Sequence, residues 1–124
     1  MKAIIVEDEK PARDNLEKLL LTLDPFIEIQ TKLDSVENTV AWLSTNQTEL
    51  IFLDIHLADD LCFKIFEQID IATPIIFTTA YDQYAIRAFR VNSLDYLLKP
   101  IEQTDLQRSL EKFKKIKKVF ILLI

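Results

Sequence analysis

What most restricts the fold of this chain is a regular alternation. Short, dominantly apolar runs take turns with stretches whose apolar residues recur at helical spacing. The runs "KAIIV" (2–6), "ELIFLD" (49–54) and "PIIFTTA" (74–80) have no polar face, as strands buried on both sides require. "FIEIQTKL" (26–33) alternates and predicts a strand with one more exposed side, and "LDYLL" (94–98) predicts a last strand. Between them, Pro11 sits where a first helical turn tolerates proline. Ala12, Leu16, Leu19, Leu20 and Leu23 then follow at helical spacing until Pro25. Asp34 or Ser35 can cap a helix carrying Val36, Val40, Ala41 and Leu43, with Trp42 beside them. Leu61, Ile65, Phe66 and Ile69 form a third stripe, and "QYAIRAF" (83–89) predicts a fourth helix with Asn92 as a left-handed stop. From Glu102 onward, Leu106, Leu110, Phe113 and Phe120 mark a long final helix.

Repeated strand–helix units with buried strands predict an α/β fold: a doubly wound, five-stranded parallel sheet with right-handed crossovers. At 124 residues the chain is one domain's worth and needs no covalent staple. Such sheets bind ligands beyond the carboxyl ends of their strands. The first strand ends on Glu7, Asp8 and Glu9; the third on Asp54, with Asp59 and Asp60 close behind; the fourth on Thr78 and Thr79; the fifth on Lys99, followed by Pro100. Carboxylates about 4 Å apart repel by roughly 4 kcal/mol at an effective dielectric near 20, so the cluster needs a cation. An all-oxygen site with few protein ligands suits Mg²⁺, and Lys99 adds a fixed positive charge. The set is suited to phosphoryl transfer, with a carboxylate as the nucleophile. Asp54 is the candidate, because it lies at a strand end flanked by potential metal ligands and Lys99.

The chain contains no glycine, where average usage would place about nine. P-loops and glycine-rich dinucleotide fingerprints are therefore excluded, and left-handed turn positions fall to Asn or Asp. A net charge of −5 argues against non-specific nucleic-acid binding by this segment. The single cysteine, Cys62, has no internal disulfide partner, so it reads as a small core or near-core residue in a reducing compartment. No signal peptide is evident, and no apolar run approaches the roughly 20 residues of a membrane helix. The expectation is a cytoplasmic protein without membrane contact.

The motifs "IIVEDE", "IFLDIHL", "IIFTTA" and "LDYLLKP", in this order and spacing, resemble the receiver (phosphoacceptor) domain of two-component response regulators over residues 2 to about 115. "TTAYDQYAIRAFRVNSLDYLLKP" is similar in particular to receivers of LytTR-type regulators. The resemblance implies a (βα)5 flavodoxin-like receiver fold over residues 1–118. Residues 119–124 are then an apolar tail: the end of the fifth helix or the start of a linker to an effector domain. It implies that Asp54 accepts a phosphoryl group from a sensor histidine kinase in a reaction dependent on Mg²⁺ (or Mn²⁺). Asp8 would bind the metal directly, Glu7 through water, and the backbone carbonyl of His56 would join Asp54 as a further ligand. Lys99 would contact the phosphoryl oxygens and Thr79 would turn toward them. Tyr96 would swing inward as Thr79 moves, reshaping the face of the fourth helix, fifth strand and fifth helix. The Lys99–Pro100 bond would be cis. Such a chain is no conventional enzyme: it catalyses its own phosphorylation and slow dephosphorylation. Its output would be transcription, through a LytTR-type DNA-binding domain absent from this chain. Homodimerisation is a further option.

Receivers usually carry Pro and Gly in the loop after the acceptor, where this chain has Ala58 and Asp60. That predicts a strained or left-handed Asp60, or a differently built loop. The added charge of Asp59 and Asp60 would act on metal affinity or phosphorylation rate. Each signal also has a plainer reading. The "VEDEK" acids can be a solvated loop at a helix start, Asp54 a cap, Lys99 a surface lysine and Thr79 an ordinary strand residue; only their joint placement favours a site. The His56 side chain reads as exposed or loop-packed. Tyr81, Tyr84 and Phe89 read as core or interface, and lysines 112, 114, 115, 117 and 118 as a solvated helix face. Two rival functions stay open. One is a degenerate receiver acting as a phosphorylation-independent interaction module. The other is a haloacid-dehalogenase-like hydrolase, disfavoured because His56 stands where a second acid is needed. The tail "VFILLI" would continue the helix onto the core, mediate association or precede an effector domain.

Overall fold

The apolar runs become strands β1 (Lys2–Val6), β2 (Glu28–Leu33), β3 (Leu50–Asp54), β4 (Ile75–Thr79) and β5 (Ser93–Leu98). The computed structural model describes the backbone of residues 1–84, 88, 91 and 93–123, and their side chains other than those of 82 and 119–123. The strands form one sheet in the order β2-β1-β3-β4-β5, with every neighbouring pair parallel. Helices α1 (Lys10–Leu23), α2 (Val36–Thr45), α3 (Phe63–Phe66) and α4 (Gln103–Leu123) connect and follow them. Central β3 is buried at every position, whereas edge strand β2 is only partly covered, as its alternating sequence requires.

The helix expected over 83–89 falls mostly outside the described residues, as does Asn92; Asp82–Tyr84 form a 3₁₀ turn. Strands β3, β4 and β5 match their expected bounds to within one residue, and two elements differ by more. β2 starts at Glu28 rather than Phe26, because Asp24 builds a turn there: its carboxylate accepts the Phe26 amide at 3.2 Å and its carbonyl the Ile27 amide at 3.1 Å. α3 spans only four residues, not the stretch from Leu61 to Ile69. Leu61 is taken by an antiparallel bridge to His56, and the amides of Gln68 and Ile69 both turn back to the Ile65 carbonyl.

The two-residue period of a strand sorts the core into two faces. Ala3, Ile5, Leu50, Phe52, Ile76 and Leu97 pack with α1 and α4, burying Leu16, Leu20, Leu106, Leu110 and Phe113. Ile4, Val6, Ile51, Leu53, Ile75 and Phe77 pack on the other side with Val36, Phe63 and Ile65. Each of these buried Val, Leu, Ile and Phe side chains contributes about 1.5–3 kcal/mol before entropy is subtracted, which makes the strands a stiff platform. Polar ties add register. The fully buried Ser109 hydroxyl on α4 donates to Asp95 Oδ2 at 2.5 Å, and Asp95 Oδ1 accepts the Tyr96 amide at 2.9 Å, locking α4 to β5. Cys62 is buried, as expected of a core thiol. Among the described residues, no helix is long and apolar enough to cross a membrane.

Candidate functional site

Following the face pattern to the carboxyl end of each strand, within β3 and β4 and one residue beyond β1 and β5, assembles the site. Glu7 follows Ala3 and Ile5, Asp54 follows Leu50 and Phe52, Thr78 follows Ile76, and Lys99 follows Leu97. All four emerge on the α1–α4 side of the sheet's carboxyl edge. Lys99 Nζ donates to Asp54 Oδ2 at 3.1 Å and also to Glu7 Oε1, joining the ends of β1, β3 and β5. Glu7 and Asp54 are only 3% and 4% exposed, so these charges meet away from bulk water. Arg13 on α1 donates to the Glu7 carbonyl at 3.1 Å, and the His56 amide points at Asp54 Oδ1 at 3.4 Å. The Lys99–Pro100 peptide bond is cis. A cleft of about 460 Å³ opens beside the cluster, lined by Glu7, Pro11, Asn15, Thr78, Lys99 and Pro100 among others.

Glu7, Asp8 and Asp54 each offer a carboxylate oxygen, and the three lie within 4.8 Å of one another. Burial, and then the proximity of Asp54, push the Glu7 carboxyl above its usual value, with Lys99 pulling only partly back. Burial and Glu7 raise Asp8 in the same way. For Lys99, burial works against the charge, but the hydrogen bond to Glu7 and the charge of Asp54 outweigh it and hold its pKa above the usual lysine value. Lys99 thus neutralises about one charge of a three-acid group. The remainder, all-oxygen and repulsive, suits a hard dication that keeps some of its waters; these residues could hold one.

Thr79 and Tyr96 belong to a different set. Thr79 follows Phe77 in the period-two pattern, so it is directed to the α2–α3 side, and Tyr96 packs against that core as well. The two meet through one peptide: the Tyr81 amide donates to Thr79 Oγ1 at 3.2 Å, and the Tyr96 hydroxyl donates to the Tyr81 carbonyl at 2.5 Å. Nothing in the sequence marks Tyr81 as this link, because its main chain makes both bonds. The His56 ring is loop-packed, with Nε2 3.4 Å from the Tyr84 hydroxyl and its ring centre 5.0 Å from that of Tyr81.

The loop after Asp54 takes the second of its two expected forms, a differently built turn. No described residue has a positive φ, so Asp60 is not left-handed. The loop closes instead through the Leu57 amide on the Asp60 carbonyl at 3.0 Å, the Cys62 amide on the Ile55 carbonyl at 2.7 Å, and the His56–Leu61 bridge. Asp60 Oδ1 accepts the Leu61 amide at 2.7 Å. Asp59 also has a role beyond charge: its two oxygens accept the Val36 and Glu37 amides at 2.8 and 3.1 Å. Burial pushes the Asp59 carboxyl up, but the hydrogen bonds from Val36, Glu37 and the loop's own amides prevail and leave it below the usual value.

Comparison with known proteins agrees with this geometry. The family model described as "Response regulator receiver domain" matches residues 3–111. "Sensory transduction protein LytT" of Bacillus anthracis is 42% identical over 120 residues, covering 94% of this chain and 48% of that protein. "Transcriptional regulatory protein LytR" of Staphylococcus aureus (strain N315) is 38% identical, with 94% and 48% coverage. The chain thus spans about half the length of the curated relatives it matches. Among solved structures, the response regulatory domain of protein mrkE from Klebsiella pneumoniae superposes with a TM-score of 0.82 at 33% identity, covering 94% of this chain and 97% of that one. With the sheet order, the acid–lysine cluster and these matches together, the chain belongs to the response regulator receiver domain family.

Proposed function

We propose that this chain is a phosphorylation-driven switch whose acceptor is Asp54. The observation that carries the reading is the convergence of Glu7, Asp54 and Lys99 from three strand ends, with Asp8 alongside. In the proposed reaction, an Asp54 carboxylate oxygen attacks the phosphorus of a phosphohistidine on a sensor histidine kinase. The O–P bond forms, the P–N bond breaks, and the imidazole leaves with its electron pair. Lys99, already on Asp54, stabilises the charge on the transferring oxygens, and the buried setting strengthens that interaction. Mg²⁺, held by Asp8 and Asp54, by Glu7 through water and by the His56 carbonyl, would supply the remaining positive charge. Glu7 and Asp8 orient the site without giving or taking a proton. Slow hydrolysis of the acyl phosphate would reset the switch.

The response is a population shift. Thr79 gives up the Tyr81 amide to bind a phosphoryl oxygen; Tyr81, held also by Tyr96, then moves, and Tyr96 turns inward. The face around β5 and α4 is the output surface. The names of the longer relatives support transcription as the output, carried by a LytTR-type DNA-binding domain outside these residues. Incubation with acetyl phosphate and Mg²⁺, read by intact mass, tests the reading. One phosphoryl adduct is expected, lost in Asp54→Asn and on chelation; an unmodified wild type supports a phosphorylation-independent interaction module instead.

A further inference from the structure

We propose that Asp59 is a positioning residue for the metal site, clamping the loop that carries the His56 carbonyl onto the start of α2. The inference rests on the proposed reading of Asp54 as a Mg²⁺-assisted acceptor with the His56 carbonyl as one of the metal's ligands. The amides of a helix's first turn lack partners within the helix. Here Ser35 supplies the local cap: its Oγ accepts the Asn38 amide at 3.0 Å and its carbonyl the Thr39 amide at 3.1 Å. A Ser cap of this kind ordinarily suffices. Asp59, reaching from 23 residues later in the chain, adds a second and bidentate cap on Val36 and Glu37. A further tie runs beside it, from the Ala58 amide to the Asp34 carbonyl at 3.1 Å.

The tether acts on the loop more than on the helix. Residues 55–62 turn without glycine, proline or a positive φ, so little in their own backbone chemistry dictates the turn. Two crossings, from Ala58 to Asp34 just before α2 and from Asp59 to α2 itself, hold the outer half. The His56–Leu61 bridge and the bond between Leu57 and Asp60 transmit that position to the inner half. His56 lies at the inner end, its amide already facing Asp54 Oδ1. A metal ligand provided by a main-chain carbonyl can be aimed only by fixing the main chain, and Asp59 does so through α2.

Mg²⁺ titration of the full chain, followed by calorimetry or by the fluorescence of Trp42 on α2, tests this in wild type, Asp59→Ala, Asp59→Asn and Ser35→Ala. Loss of an outer-shell partner commonly weakens metal binding by 10-fold or more, so Asp59→Ala is expected to lose about 10-fold in affinity. Asn keeps one accepting oxygen but turns a donor toward the second amide, so Asp59→Asn is expected to fall between wild type and Asp59→Ala. Ser35→Ala removes the other cap of the same helix and is expected to leave Mg²⁺ affinity unchanged. Faster amide exchange at Val36 and Glu37 in Asp59→Ala reports the clamp without the metal. Wild-type affinity in Asp59→Ala overturns the proposal. So does a Ser35→Ala loss equal to that of Asp59→Ala, which would assign the effect to helix stability. A wild type that takes up no Mg²⁺ overturns the site reading itself; protected Val36 and Glu37 amides would then leave Asp59 as a structural cap alone.

Discussion

Replacing Lys99 by Met removes the ammonium that stands between Glu7 and Asp54 while keeping the length of the side chain. Its Nζ lies 3.1 Å from Asp54 Oδ2 and against Glu7 Oε1, with the lysine side chain 21% exposed and the acid side chains 6% and 4%. At that distance and an effective dielectric near 20, the gross attraction to Asp54 is about 5 kcal/mol. Desolvation offsets much of that gain, so the measurable effect is the cost of leaving buried acids without a partner. That cost has a ceiling, because one acid can take up a proton. For Glu7, starting from an ordinary value of 4.5, holding a proton at pH 7.5 costs about 4 kcal/mol at 1.36 kcal/mol per unit. Burial and Asp54 already raise its pKa, so the ceiling is lower in the protein. Lys99→Met is therefore expected to lose about 2–4 kcal/mol at pH 7.5 and under about 1 kcal/mol at pH 5. Urea denaturation at both pH values, in chelator, measures this, and Mg²⁺ should restore part of the loss at pH 7.5. A loss equal at the two pH values, or none at pH 7.5, would refute the claim that Lys99 neutralises buried carboxylates.

Glu7 and Asp8 carry folded-state pKa values above 4.5 and 3.8. The folded protein thus keeps protons that the unfolded chain releases, and in chelator their contribution lowers stability as pH rises above that range. Glu7→Gln should flatten this fall above pH 4.5, measured by urea midpoints; an unchanged slope would place the titration elsewhere. Lys99 shifts upward from 10.5, so the stability it adds is present below that pH and is lost as pH rises past its folded value. Ser109→Ala leaves Asp95 without its buried donor and should cost about 1–2 kcal/mol in urea, with Mg²⁺ affinity unchanged; a neutral result would mean that the α4–β5 tie contributes nothing.

The sheet and the acid–lysine cluster were legible because both follow from local pattern. Continuous apolar runs predict buried strands, and counting two residues on from Phe52, Ile5 and Leu97 reaches Asp54, Glu7 and Lys99. The cap of α2 was legible to within one residue, Asp34 or Ser35, for the same reason: a helix cap is written within four residues, and the structure selects Ser35. The limits were tertiary. Leu61 has helical spacing, but its pairing with His56 shortens α3. Asp59 read as surplus charge because the amides it binds lie in another element. The missing glycine left two options for Asp60, a strained or left-handed backbone or a differently built loop; the choice was tertiary, because the loop that avoids a positive φ is tied to α2. The link between Thr79 and Tyr96 runs through the Tyr81 main chain, which side-chain identity does not reveal.

The identity of the phosphorylated atom can be read directly. After incubation with acetyl phosphate and Mg²⁺, borohydride reduces an aspartyl phosphate to homoserine, and peptide mass mapping locates the converted residue. Conversion at Asp54 alone, absent without Mg²⁺ and reduced in Lys99→Met, is the expected result. Conversion at Asp8, Asp59 or Asp60, or none at all with a folded wild type, would contradict the assignment of Asp54 as the acceptor.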